Sequence, residues 1–209
     1  MADVPVPPGY FEAPTLTVAK RLLGTRLIRK IQGQWLEGRI VEVEAYHQEG
    51  DAASHSYCGK TQRNAVMFGP KGHVYVYLSY GVHYCMNVVT EAPGIGAAVL
   101  IRAIQPLSGL KAIRQFRPKA KTDRDLANGP GKVCQAFAVG MAENGAGLGS
   151  PDLFLAEGPI LDSETIGTSS RVGISKAVEL PWRFFLAGNP FVSKGKPSAL
   201  VATKKDGGA

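Results

Sequence analysis

Cysteine is scarce and unpatterned in this chain. Its three residues, Cys58, Cys85 and Cys134, are odd in number and share no C-x-x-C spacing, which supports neither a disulfide framework nor a structural zinc site. Reduced thiols in a cytoplasmic protein are the expectation. Long apolar runs are also missing: nothing approaches the roughly 20 residues that span a bilayer, and the start of the chain has no basic stretch leading into an apolar one. No membrane association is expected. Acidic residues are outnumbered, 17 Asp+Glu against 24 Lys+Arg, which leaves a net charge of +7. That field suits work on a polyanion, although a merely basic solvated surface would give the same count. Histidines occur at His47, His55, His73 and His83, yet none falls in H-E-x-x-H or at helical i,i+4 spacing, so no metal or other cofactor is expected. The run Gly129-Pro130-Gly131-Lys132 is not a Walker motif, which needs G-x-x-x-x-G-K-[ST]; at most its backbone N–H groups offer a phosphate contact.

With 209 residues, 44% of them hydrophobic and 20% charged, the chain suits one domain with a real core. Residues 1–14, rich in proline, read as an extended arm, and Thr15 or Thr17 as the cap of a short helix ended by Gly24. Residues 27–31 and 35–46 read as strands paired across Gln32-Gly33. The glycine-rich stretch 47–72 has no sustained periodicity and reads as a long ordered loop, the kind that is usually functional. Alternation at 73–78 and 83–89 around a turn at Ser79-Tyr80-Gly81 gives a hairpin, and 97–104 another strand. Helices are expected at 110–117 and from Asn128 through Ala138, late strands at 171–174 and 182–186, and a loose tail at 204–209. Strands outnumber helices and most follow one another as hairpins, so the expectation is a single α+β domain with an antiparallel sheet, spanning 15–203.

Chemistry concentrates between Val41 and Asn87. In a strand, Glu42, Glu44 and Tyr46 share one face while Val41, Val43 and Ala45 share the other. A carboxylate there could serve as general base, and strand position alone does not choose between Glu42 and Glu44; the plain alternative is a solvated carboxylate. Tyr46, His55, Tyr75, Tyr77, Tyr80 and Tyr84 offer planar surfaces for stacking on a base, though tyrosine is also an ordinary strand filler. Tyr80 stands apart because Gly81 follows it at a turn, where an exposed ring can act as a wedge between base steps. Arg102 among apolar neighbours should meet a carboxylate, and Asn87 in an apolar strand needs hydrogen-bond partners, for specificity or for the core alone.

The segments RIVEVEAY (39–46), AASHS (52–56), RNAVMFGPKGHVYVYLSYGVHYCMN (63–87), AVLIRAIQPLSGL (98–110), NGPGKVCQA (128–136), RVGI (171–174) and PWRFFLAGNPFVS (181–193) together resemble the alkyladenine (3-methyladenine) DNA glycosylase family, in its bacterial type. The resemblance implies a curved antiparallel sheet whose protruding hairpin carries a tyrosine, here Tyr80, that takes the place of a flipped nucleotide. It implies Glu44 as general base for water attacking the sugar C1′, with Arg102 positioning Glu44 and the water. Tyr46, His55 and Tyr77 would sandwich the flipped base, His55 also within hydrogen-bonding reach of it, and Asn87 would exclude the guanine 2-amino group. Arg117 and Lys132 match positions that approach DNA phosphates. The partner is then double-stranded DNA carrying a damaged base, met by a monomer that removes alkylated, and by extension deaminated, purines and leaves an abasic site. Two positions depart from the family pattern: Cys58, where relatives often carry a basic residue, and Gln62, where proline is usual. A non-catalytic lesion-binding protein is the alternative, disfavoured by the presence of both Glu44 and Arg102. A lyase using a lysine Schiff base ranks lower still, since no lysine falls within VEVEAY or YVYLSYGVHYCMN.

Overall fold

The computed structural model describes residues 4–158 and 160–198, in which alternation and apolar runs become strands about a single long one. In chain order these are β1 (Arg26–Ile31), β2 (Gln34–His47), β3 (Val74–Ser79), β4 (His83–Val89), β5 (Ala97–Ser108), β6 (Gly149–Ser150), β7 (Leu153–Ala156), β8 (Ile166–Ser169) and β9 (Arg183–Leu186). Three α-helices accompany them: α1 (Thr15–Leu22), α2 (Leu110–Phe116) and α3 (Pro130–Ala136). All pairings are antiparallel, in the order β3-β4-β5-β2-β1-β7-β6, with β9 joined to both β2 and β8. The strand β2 is the hub. One edge runs along β5; the other takes β1 over its first half and β9 at Glu42–Glu44. This is the α+β domain with a curled antiparallel sheet that the sequence leads one to expect.

The local reasons are plain. Gln32 and Gly33 both lie at positive φ, 51° and 73°, the twist that a two-residue hairpin needs. From Ala97 to Ile104 every residue of β5 is buried, matching a near-continuous apolar run covered on both faces. Leu22, Leu27, Ile40, Val43, Ile101, Ile104 and Phe137 join α1, α3 and the central strands in one core. Gly38 sits where β2 slips register against β5; a Cβ there would lie 2.3 Å from Ile104 Cγ2 and 2.7 Å from Phe137 Cζ. Gly38→Ala should therefore lower stability by about 1–3 kcal/mol through overpacking, read as a lower thermal midpoint; an unchanged midpoint would mean the core yields freely there.

Several expectations need correction. Residues 171–174 form no strand: Val172 makes only an isolated bridge to Pro197, and its N–H donates to the Glu44 carboxylate. Thr15 does not cap α1 through its side chain; Pro14 is the N-cap residue, and the Thr15 N–H and hydroxyl both donate to Glu91 at 2.6 Å. The arm is not simply extended, since Pro8–Phe11 is a 3-10 turn that buries Phe11. The strand at Ala97 continues past Ile104 to Ser108. Ala138 has a φ of 48°, a left-handed residue that stops α3 at Ala136. The tail 204–209 lies outside the described residues.

Candidate active site

Past an irregularity at Ile40–Val43, where β2 and β5 shift register, Glu42, Glu44 and Tyr46 follow one another along one face of β2. Both carboxylates are fully buried, and Arg102, from the neighbouring strand β5, bridges them: Nε donates to Glu42 at 3.1 Å and Nη1 to Glu44 at 3.2 Å. Their environments then diverge. Glu42 also accepts from Arg183 Nε at 2.7 Å and from the backbone N–H and hydroxyl of Ser193, at 2.7 and 2.9 Å. Burial would push its carboxyl up, but the Arg102 and Arg183 guanidiniums and these donors hold it below the ordinary range. Glu44 accepts instead from the Tyr46 hydroxyl at 2.9 Å and the Val172 N–H at 2.7 Å. Burial wins there, and the Glu44 carboxyl is raised despite Arg102. The two carboxyls are thus pushed in opposite directions: Glu42 is saturated by Arg102, Arg183 and Ser193, while Glu44 keeps Arg102, Tyr46 and Val172.

Beside them lies a cavity of about 570 Å³ whose walls include Tyr46, His55, Arg63, Tyr75, Tyr77, Cys85, Asn87 and Arg102. Glu44 has no exposed surface, yet its three partners, Tyr46, Arg102 and Val172, all line this cavity. The carboxylate is thus one hydrogen bond behind the wall. The hairpin β3–β4 contributes Tyr75, Tyr77, Cys85 and Asn87 to the wall. Tyr77 and His55 meet edge to face with centroids 4.5 Å apart, and His55 Nδ1 hydrogen-bonds the Tyr75 hydroxyl at 3.0 Å. Partial burial and the Arg63 charge hold the His55 imidazole below its usual value, so it is neutral at pH 7. Burial pushes the Tyr75 phenol to about 12 and Tyr77 higher still; both remain protonated rings. Asn87, buried in β4, donates its amide to the Tyr75 carbonyl at 3.0 Å.

At the hairpin tip Tyr80 and Gly81 take φ values of 49° and 69°. The left-handed region is costly for a bulky side chain, and Tyr80 is 90% exposed with its ring at the cavity's edge. The other two residues assigned to DNA lie apart from the cavity walls. Arg117 donates to the carbonyls of Leu126 and Asp125 and to the Gln135 side chain, tying the end of α2 to the chain that leads into α3. Lys132 Nζ donates to Asn128 at 2.7 Å.

Sequence reading missed four contributors. Val172 reaches Glu44 with a backbone N–H, which no side-chain pattern can signal. Arg171 and Asp51 form a fully buried bidentate pair, with N–O distances of 2.7 and 2.6 Å, behind Tyr46; the only hint is an arginine and an aspartate too far apart in sequence to be linked. Lys176 lines the cavity, so the argument that no lysine falls in the pocket-forming segments does not carry over to the folded chain. No group of three or more His, Cys, Asp or Glu that could hold a metal ion occurs among the described residues, and no described helix is long and apolar enough to cross a membrane.

Known proteins resemble this chain over most of its length. The model of the methylpurine-DNA glycosylase (MPG) family matches residues 9–190. A Chlorobaculum tepidum protein is 44% identical over 199 residues, covering 95% of each chain. One from Carboxydothermus hydrogenoformans is 46% identical over 190 residues, 90% of this chain and 98% of its own. A third, from Methanoculleus marisnigri, is 48% identical over 192 residues, with the same coverages of 90% and 98%. The names of all three propose a 3-methyladenine DNA glycosylase. On the extent of these matches, the chain belongs to the methylpurine-DNA glycosylase family and is a hydrolytic DNA glycosylase.

Proposed function

We propose that this protein flips alkylated purines such as 3-methyladenine, and deaminated ones, out of duplex DNA and hydrolyses the N-glycosidic bond with water activated by Glu44. The observation that carries the proposal is the buried Glu44 carboxylate, raised by burial and held one hydrogen bond behind an aromatic cavity by Tyr46, Arg102 and Val172. A base works best with a pKa brought toward the working pH. Water at this wall gives its proton to Glu44 as its oxygen bonds to C1′; the C1′–N9 bond breaks and its electron pair leaves with the purine. For a methylated, cationic purine that departure neutralises the base, so one carboxylate suffices, unlike the two-carboxylate arrangement of glycoside hydrolases.

The remaining residues fit selection and flipping. A cationic purine is attracted to electron-rich ring faces, which Tyr46 and the His55–Tyr77 pair provide. Asn87, held by Tyr75, is placed to meet an exocyclic 2-amino group. Damaged bases stack and pair poorly, which lowers the cost of extrusion, and Tyr80 fills the gap they leave. Tyr80→Ala should weaken binding to an abasic duplex by about 1–3 kcal/mol, the worth of one stacked base. The thermal midpoint should hold, because a side chain that is 90% exposed supports little core. Unchanged binding would remove the wedge role.

Borohydride present during base release tests the chemistry. Direct hydrolysis should give free purine and an abasic product with no covalent complex trapped. An adduct trapped through Lys176 would replace direct hydrolysis with a lyase route.

A further inference from the structure

We infer that the Arg171–Asp51 ion pair is the positioning device of this site: it backs the stacking ring of Tyr46 and, through the adjoining Val172 N–H, fixes the orientation of Glu44. The inference rests on the reading of Glu44 as base and Tyr46 as stacking surface, and extends it to two residues that touch neither substrate nor water.

The geometry is specific. Arg171 and Asp51 are both without exposed surface. The guanidinium carbon of Arg171 lies 4.5 Å from the centroid of the Tyr46 ring and 5.5 Å from that of Trp182. Tyr46 also lines the cavity, so the cation stacks on a residue that a base in that space would meet. Arg171 Nη1 donates to Asp51 at 2.7 Å and to the Ala45 carbonyl at 3.0 Å, and Nη2 donates to the other Asp51 oxygen at 2.6 Å. Asp51 in turn accepts from the backbone N–H groups of His47 and Ala53, at 3.2 and 3.1 Å. One pair therefore ties together the residue between Glu44 and Tyr46, the end of β2, the loop leading to His55, and the segment 171–172. The next backbone group along that segment, Val172 N–H, is the one bonded to Glu44 Oε1 at 2.7 Å.

A planar fork that makes three good bonds and stacks at the same time cannot be replaced by an ammonium of equal charge. The buried aspartate cancels the guanidinium's charge, so the pair acts by placement rather than by field. A core fastener would show only in stability; a positioning pair also shows in the chemistry of Glu44. The charged and titratable groups around Glu44 are Glu42 and Tyr46 on its own strand, Arg102 on β5, and Tyr77 and Cys85 on the hairpin. Of these, Tyr46 is the one whose ring Arg171 stacks against. The Val172 N–H favours the ionised carboxylate, so loosening it raises the pH below which base release fades.

The test uses Arg171→Lys, with Asp51→Asn as the second variant, each checked by thermal melting and assayed well below its midpoint. The reading is single-turnover release of a cationic methylated purine as a function of pH, with abasic-duplex binding as control. The expected result in whichever variant is folded is release slowed by about 30- to 100-fold, the scale of a small misplacement of reacting groups. The acid limb should move to higher pH while abasic binding is retained. A folded variant with the parent rate and an unmoved acid limb, whatever its melting midpoint, would overturn the inference. Failure of the underlying reading is seen separately, as base release surviving in Glu44→Gln.

Discussion

Replacing Glu44 by glutamine should slow base release from duplex DNA by about 10³-fold, within the range of about 10² to 10⁴ attributed to a positioned general base, while leaving lesion-independent DNA binding intact. An amide keeps the volume and can still accept from the Val172 N–H, but it cannot take a proton from water, and Arg102 keeps Glu42 through Nε while Nη1 loses its carboxylate. The cost to the fold should be about 1–3 kcal/mol for that weakened buried contact, too little to unfold the domain. Single-turnover kinetics beside a melting curve separate the two effects. With Glu44 as the base, activity in the parent protein should require the ionised carboxylate and be lost as pH falls through the Glu44 pKa. Since burial raises that value, the acid limb should lie above that of an ordinary glutamate and vanish in Glu44→Gln. A variant that releases base at a rate close to the parent's would remove Glu44 from the chemistry.

The second large effect is on stability and activity together. Arg102→Met strips the shared partner from two fully buried carboxylates, and breaking a buried ion pair from one side costs about 3–5 kcal/mol. For a chain of 209 residues that is a drop in melting midpoint on the order of 10 °C. Glu42 retains Arg183 and Ser193, whereas Glu44 keeps only Tyr46 and Val172 and should take up a proton at higher pH than before, so catalysis fails even where the variant is folded. Glu42 carries a pH signature of its own. Its folded pKa is depressed by the guanidiniums of Arg102 and Arg183, so the stability it contributes is complete above the ordinary glutamate range and is lost as pH falls through the depressed value. Arg102→Met should shrink that acid-side loss. A midpoint unchanged by the substitution would show that the three-charge cluster does not hold this part of the sheet.

What the sequence conceals follows from distance and from backbone chemistry. Period-two alternation at 41–46 places Glu42, Glu44 and Tyr46 on one face of β2 before any fold is known, and the Tyr80-Gly81 pair marks a hairpin tip that the structure shows with both residues at positive φ. The division of labour between the two carboxylates is not legible in that pattern. It depends on Arg183 and Ser193, which lie far along the chain and reach Glu42 but not Glu44. Residues 171–174 mislead because a short apolar-rich run looks like a strand, whereas the Val172 N–H donates to Glu44 and the Ile174 N–H to the Ser198 hydroxyl. Arg117 illustrates the reverse: a basic residue of the kind that meets phosphates has its donors turned onto neighbouring carbonyls and Gln135. Short strands such as β6 and β8 carry too few residues for periodicity to register.

The central claim is metal-free hydrolysis of a single N-glycosidic bond with no cut in the backbone. It is tested most directly by incubating the protein, in EDTA, with duplex DNA containing one methylated purine, and comparing strand breakage before and after alkali. Free purine together with breakage at the lesion only after alkali is the result expected of a monofunctional glycosylase with Glu44 as its base. Breakage without alkali would point to a lyase, and intact DNA across a panel of methylated purines would leave a lesion-binding protein that lacks the chemistry.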